Sequence, residues 1–480
     1  MAIDLRPAPS PSDCVHNSTC MADLDSLGRD DLIRLIHGLQ RQVEDLRKEI
    51  EELRRKDKRS AAPFSKGQRK KNPKRPGRKP GQGAFARRPA PPAAAGGVPP
   101  VDVPVAETHC PFCGGRLERE APEEASVTDM PAAPEPEVRL FKVQVCRCQK
   151  CGRKTRGKHP DVAANQYGAT AHRLGPRIKA VAHALHYGHG VPVRRLPAIL
   201  LEMTGIAMTQ SALTQDALKQ AAGPVGAAYR ELRQQVRHAP VTYSDDTSWR
   251  VGGDGAYLMA FDTDQQTVYQ IRSQHGNEQV RELIPSDYRG TLVTDRFSSY
   301  EAEELAGVAQ HKCLSHLIRN VAEVVNNKTG RAKTFGSELK ALLQQANELW
   351  RQQRAGTAPS LAAQGEAIEQ KLTYLLRPRR LRDADNQRLL DGIGLQHDRQ
   401  RVLNFLDHPE VEPTNNRAER ALRPAVIARK VSHCSKNERG AEAFAAFTSV
   451  ARTTVKKGVA TVADVFHRLI KDGAEPPDSS

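Results

Sequence analysis

Aromatic side chains are scarce in this sequence, at 5% of 480 residues with two tryptophans, and acids are outnumbered by bases, 56 to 73. No stretch reaches the roughly 18 consecutive apolar residues of a membrane span, and no segment has the pattern of a signal peptide. These absences argue against a membrane protein and make a soluble, cytoplasmic chain the expectation. Nine cysteines in such a compartment are expected to be thiols and metal ligands rather than disulfides. A net charge of +17 with few aromatics points to an acidic polymer as partner. At this length the chain can hold several domains and a sizeable core.

The charge is concentrated. Between Arg54 and Arg88 fifteen Lys or Arg residues stand against one acid, Asp57, a net +14 of the total. Residues 57–104 carry almost nothing able to build a core and read as a flexible Pro/Gly-rich arm. Lys70, Lys71, Lys74, Arg75, Arg78 and Lys79 are its candidate phosphate contacts, since a dense cationic arm binds nucleic acid by releasing counterions. A solvated surface or a localisation signal is the alternative. Ahead of the arm, residues 1–23 read as disordered. Residues 24–56 read as a helix whose Leu32, Ile36, Leu39, Val43, Leu46, Ile50 and Leu53 alternate at steps of four and three, a coiled-coil seam that favours self-association over packing on its own domain.

Residues 105–160 contain two C-x-x-C-G turns, Cys110 to Cys113 and Cys148 to Cys151. Four thiolates in two such pairs form a closed tetrahedral site, so structural Zn²⁺ is expected. Cys146 is a spare thiol, and His109 and His159 are weaker substitutes. Residues 165–235 read as helical: IKAVAHALHYGHG, then RRLPAILLEM and TQSALTQDALKQ joined through Gly205. The last two form a helix-turn-helix pattern, with plain helical packing as the alternative. Pro197 weakens the first of that pair. His183, His186 and His189, with no acid nearby in the sequence, read as surface or packing residues.

After Ala239 the apolar period changes to two. PVTYSD, AYLMAFD, TVYQIRS and GTLVTD are expected as strands, with a helix at GNEQVRELIP, another at SSYEAEELAG and a fifth strand near VAQHKC. Hairpin-linked strands followed by alternating helices and strands give the order of an α/β ribonuclease-H-like core over 239–316. An α-helical insertion is expected over 317–407, and the end of the core with C-terminal helices over 412–472. In this order Asp245 ends the first strand, Asp295 ends the fourth, and the two strands are neighbours. Glu419 lies in the first turn of a helix capped at Asn415–Asn416. A capping box between Asn416 and Glu419 is the structural reading of that pair. Three carboxylates from two strand ends and a helix start, Asp245, Asp295 and Glu419, are what a two-metal phosphoryl-transfer site requires, with Mg²⁺ or Mn²⁺ as suited ions. Arg420, Arg423, Arg429 and Lys430 are candidate DNA contacts, and surface ion pairs are their alternative. Trp249 and Trp350 are expected to pack rather than stack on a base.

SDDT, TDRFSSY, KCLSHLIRN, NNRAERALRP and RGAEAFAAFTSVARTTVKKG, together with the N-terminal leucine helix, the basic arm, the paired knuckles and LHYGHGVPVRRL, resemble the transposases of the insertion-sequence-66 type. The resemblance spans nearly the whole chain. It implies a DNA transposase that cuts at its element's ends and transfers the strand to target DNA, with an acidic triad on Asp245, Asp295 and Glu419. It further implies terminal-repeat and target DNA as partners, a homo-oligomer, small accessory proteins, and a bacterial cytoplasmic protein that joins the nucleoid when bound to DNA. Asp246, Cys313, His316 and Asn416 are accessory candidates; the family more often has Asp-Glu-Thr where this chain has Asp245-Asp246-Thr247. Other readings stay open, a zinc-containing DNA-binding regulator or inactive transposase remnant, and a nuclease of the same fold without strand transfer.

Overall fold

The computed structural model describes most of residues 28–46 and 103–118, and residues 136–472 apart from 160, 164, 169, 170 and 357–360. The chain divides into two compact units, Met1–Ala121 and Pro122–Ser480, so the two cysteine pairs fall one in each. In the first unit the described residues between 29 and 46 are helical. Ile36, Leu39, Val43 and Leu46 are about half exposed there, an apolar stripe open to solvent. Leu32, Ile50 and Leu53 of the seam, residues 1–23 and the six arm cations lie outside the described residues.

In the second unit, β1 (Val145–Arg147) and β2 (Lys154–Arg156) form a short antiparallel hairpin around the second cysteine pair. The helical region follows. α1 (Pro176–His183) continues into a π turn, Ala184–Gly188, rather than running as one regular helix to Gly190. α2 (Leu196–Thr204) carries Pro197 in its first turn, where the missing N–H has no partner to lose, so this proline does not weaken the helix. Gly205 ends α2 at φ 68°, a conformation that favours glycine. Thr209 then caps α3 (Gln210–Ala222) by accepting the Ala212 N–H at 3.1 Å. α4 (Pro224–Arg237) completes the region. His183 has an acid nearby after all. Its Nε2 lies 2.9 Å from Asp216 Oδ2, a partner contributed by α3 across 33 residues. His186 Nδ1 bonds the Val191 carbonyl oxygen at 2.7 Å.

The core is a five-stranded mixed sheet of order β5-β4-β3-β6-β7. β3 (Val241–Val251), β4 (Asp254–Asp262) and β5 (Thr267–Arg272) are antiparallel neighbours, while β6 (Thr291–Thr294) and β7 (Gln310–Lys312) are parallel. This order is compatible with a ribonuclease-H-like core. Strand alternation sends Met259 and Phe261 to one face and Leu258 and Ala260 to the other, and all four are fully buried. Helices therefore cover both faces. Each large apolar side chain buried this way contributes roughly 1.5–3 kcal/mol.

Two expected helices differ. The first is shortened to α5 (Asn277–Arg281), and SSYEAEELAG forms two single 3₁₀ turns, Ser298–Tyr300 and Glu303–Leu305. That segment has to follow the sheet edge so that Tyr300 and Leu305 are both buried, which breaks the helical period. After β7 comes α6 (Leu314–Asn326), whose Leu314, Leu317 and Val321 pack on Val241, Tyr243 and Val293 of the sheet. α7 (Arg331–Arg354), α8 (Leu361–Leu376) and α9 (Ala384–Asp398) extend the same apolar cluster. Trp350 is packed against that cluster, and Trp249 is buried in another. The chain returns to the sheet with α10 (Asn416–Ser432), followed by α11 (Glu438–Lys457) and α12 (Val462–Asp472). Among the described residues no helix is long and apolar enough to cross a membrane.

Candidate active site

The parallel pairing of β3 with β6 ends at Tyr243 and Val293. Just beyond that point the chain leaves β6, and Asp295 enters the loop. Asp245 does not end β3. The strand runs on to Val251 because it stays paired with β4 through nine register positions, from Tyr243–Asp262 to Val251–Asp254. Asp245 therefore sits in the interior of a long strand, at the level where its parallel neighbour stops. That is the crevice outside the carboxyl ends of parallel strands, where open α/β sheets place their ligands.

Adjacent residues of a strand point to opposite faces. Tyr243 and Trp249, of the same parity as Asp245, belong to clusters containing α6 and α10 residues. Asp245 thus shares the face of Glu419. Asp246 points the other way, where its Oδ1 lies 3.2 Å from His275 Nδ1.

The start of α10 is buttoned to the sheet. Asn415 donates from Nδ2 to the Ser244 carbonyl oxygen at 2.7 Å, and its backbone N–H donates to Cys313 Sγ at 3.1 Å. The Pro413 carbonyl oxygen accepts from Leu314 N–H at 2.9 Å and His311 Nε2 at 3.1 Å. These bonds bring the start of the helix that carries Glu419 to the sheet although 124 residues separate Glu419 from Asp295. The capping box is not formed. Asn415 rather than Asn416 occupies the N-cap and has no side-chain cap bond, and the Glu419 N–H donates to the Asn415 carbonyl oxygen at 3.2 Å. The Glu419 carboxylate instead lies 3.9 Å from His316 Nε2. Asn416 is exposed, whereas Asn415 is fully buried with its Oδ1 unpartnered.

Electrostatics links the three acids. Burial pushes the Asp245 carboxyl up to about 7, and the charges of Asp246, Asp295 and Glu419 push in the same direction against one backbone hydrogen bond. A cation relieves the repulsion within such a group of carboxylates. Among the described residues, no three His, Cys, Asp or Glu side chains are gathered closely enough to ligate one ion as they stand. The donors themselves are hard oxygens suited to Mg²⁺ or Mn²⁺. Asp295 Oδ1 accepts the Phe297 N–H at 2.9 Å, which shapes the loop after β6. Behind it, the fully buried Lys312 ammonium lies 2.5 Å from Glu301 and 2.9 Å from Gln310 Oε1. Burial lowers the Lys312 pKa, opposed by Glu301. Cys313 is buried, and burial raises its thiol.

A family model described as the IS66 transposase family matches residues 172–443, more than half of the chain and all of the residues just described. The chain belongs to the IS66 transposase family. No curated protein matches it.

On this IS66-family scaffold the basic residues of α10 divide. Arg420, Arg423 and Lys430 are exposed on the helix that carries Glu419, whereas Arg429 is turned onto β3. It donates to Thr247 Oγ1 at 3.1 Å and Ser248 Oγ at 2.8 Å, and also to the Ser248 carbonyl oxygen. Arg429 is thereby occupied with the strand that carries Asp245. The two cysteine turns repeat each other. The Cys110 carbonyl oxygen accepts from Gly114 at 2.8 Å and that of Cys148 from Gly152 at 2.9 Å. Backbone N–H groups of Phe112 and Cys113 lower the Cys110 thiol, and those of Cys151 and Lys150 lower that of Cys148.

Sequence reasoning named Asn415 only as a helix cap and passed over Lys312, Glu301, Asp216, His275 and Phe297. For Asn415 the signal was the doubled asparagine itself. For the others nothing local sets them apart from ordinary polar or apolar residues.

Proposed function

We propose that this chain is a DNA transposase that cuts at the ends of its element and joins the freed 3′ hydroxyl to target DNA. Asp245, Asp295 and Glu419 hold Mg²⁺ or Mn²⁺. What supports the reading is that Asp245 on β3 feels the charges of Asp295, after β6, and Glu419, on α10, in a chain of this family. When bound, the metal ions activate an attacking water or hydroxyl and neutralise the leaving oxygen of the phosphodiester. The protein's own groups do the rest. Asn415 fixes the start of α10 against β3 so that Glu419 faces Asp245, and the Phe297 N–H orients Asp295. Lys70, Lys71, Lys74, Arg75, Arg78 and Lys79, with Arg420, Arg423 and Lys430, neutralise phosphates along the DNA and fix its register.

The thiolates of the Cys110–Cys113 and Cys148–Cys151 turns are proposed as ligands of structural Zn²⁺, a reading supported by the same turn in each pair. The open stripe Ile36, Leu39, Val43 and Leu46 joins copies of the chain.

The test is excision and integration in cells of a marker flanked by the repeats found beside the gene. Activity is expected in wild type and Asp246→Asn, and its loss in Asp245→Asn, Asp295→Asn and Glu419→Gln at equal protein levels. Transposition by Asp295→Asn contradicts the reading, and a silent wild type that still binds the repeats favours a regulator.

A further inference from the structure

Neither tryptophan is available to a base. Trp249 is buried and donates from Nε1 to Ser435 Oγ at 3.2 Å, and Trp350 packs on the insertion core with the Arg354 guanidinium over its ring. Phe297 is different. It lies two residues after Asp295 and is 41% exposed. An exposed apolar residue alone means little. This one, however, is backed by a rigid support and tethered to a site acid.

One face of the Phe297 ring lies on His275, with centroids 4.7 Å apart and planes inclined by 14°. His275 is buried, its Nε2 is hydrogen-bonded with Ser299 Oγ at 3.2 Å, and its Nδ1 lies 3.2 Å from Asp246 Oδ1 without a hydrogen bond. Its ring also meets Tyr300 edge-on at 5.6 Å. Tyr300 is tied to β3 through Ser244, hydroxyl to hydroxyl at 3.0 Å. The support of Phe297 is therefore locked to the strand that carries Asp245. Its tether is the bond from the Phe297 N–H to Asp295 Oδ1 at 2.9 Å. Among the described residues the opposite ring face has no aromatic partner.

We infer that Phe297, backed by His275, is a stacking platform for one nucleobase of the DNA strand bound at Asp295, lifted out of the duplex beside the phosphate that is cut. The inference rests on the proposal that DNA is bound at the acidic triad. A phosphate near Asp295 puts its flanking base within reach of Phe297. A base without its pairing partner offers a π face that any flat aromatic ring can accept, largely independent of sequence. Extrusion also relieves the duplex constraint on the strand to be cut, and it is easiest where pairing is already weakened.

The experiment uses the full chain and duplexes carrying the terminal repeat, with Ca²⁺ in place of Mg²⁺ so that binding is read apart from cleavage. An abasic nucleotide is placed opposite each base around the cut site in turn. Wild type is expected to bind one of these duplexes about 10-fold more tightly than the fully paired one, the scale of a single stacked base. Phe297→Ala should lose that gain and Phe297→Trp should keep it. Phe297→Leu, which retains apolar packing on His275, should behave as Phe297→Ala, so a folding defect in the smaller variant does not decide the result. The inference is overturned if no abasic position strengthens wild-type binding, if Phe297→Ala or Phe297→Leu keeps the gain, or if Phe297→Trp loses it. Failure of the transposase reading appears separately, as wild type that binds these duplexes and does not cut them in Mg²⁺.

Discussion

Asp245 and Asp246 are chain neighbours whose side chains serve opposite faces of one strand. Parity within β3 assigns the first to the face of Glu419 and the second to His275. The adjacent acids were legible in the sequence, but the assignment was not, because it depends on which face α10 covers. Asp216 teaches the same lesson. In the sequence it is one acid in a polar helix, and in the fold it meets His183 and Lys179, each at 2.9 Å. Burial alone would raise its pKa, but these two partners outweigh it and hold the carboxyl at about 2, below its ordinary 3.8. A depressed carboxyl stabilises the fold above its ordinary pKa, and that stability is lost as pH falls from about 4 through about 2. The shift is worth about 2 kcal/mol at pH 7. Asp216→Asn should lose roughly that amount and show a flatter acid limb when urea midpoints are followed against pH. An acid limb as steep as wild type would remove Asp216 from the account.

At the scale of elements, the order of strands could be read from period-two runs, since hairpin-linked β3, β4 and β5 carry their own turns. The extent of β3 could not. Paired aspartates are poor strand formers, and only the nine-position pairing with β4 overrides them. The edge of β5 is also closed by tertiary contact. Ser449 Oγ on α11 accepts the Tyr269 N–H at 2.8 Å, and Thr453 Oγ1 accepts that of Thr267 at 3.1 Å. Another junction ties β7 and the loop after Asp295 to the end of α9. Glu301 receives Lys312 at 2.5 Å, Arg401 at 3.0 Å and Arg399 at 3.2 Å. Removing Glu301 leaves the Lys312 ammonium buried without its counter-ion, so Glu301→Ala is expected to cost about 3–5 kcal/mol. The double change Lys312→Met with Glu301→Leu should recover the part of this that the stranded ammonium causes, while the buried Arg401 stays without its partner. A double variant as unstable as Glu301→Ala in urea unfolding would contradict that view.

For the whole molecule, length and charge announced a DNA-handling chain with a cationic arm, and motif spacing placed its acids in order along the sequence. What spacing could not convey is how a helical excursion from α6 to α9 returns Glu419 to the sheet. That return depends on the buried Asn415 and on Pro413, whose bonds to Ser244, Leu314 and His311 form only in the folded protein. The central claim is that Asp245, Asp295 and Glu419 act together on DNA through divalent metal. Its most direct test is cleavage of terminal-repeat duplex by the purified chain, with Mg²⁺ supplied or chelated, in wild type and in Asp245→Asn, Asp295→Asn and Glu419→Gln. The account predicts Mg²⁺-dependent cutting by wild type and a loss of at least about 100-fold in every variant, with DNA binding retained. Cutting by wild type in excess chelator, or by Asp295→Asn at the wild-type rate, would contradict it.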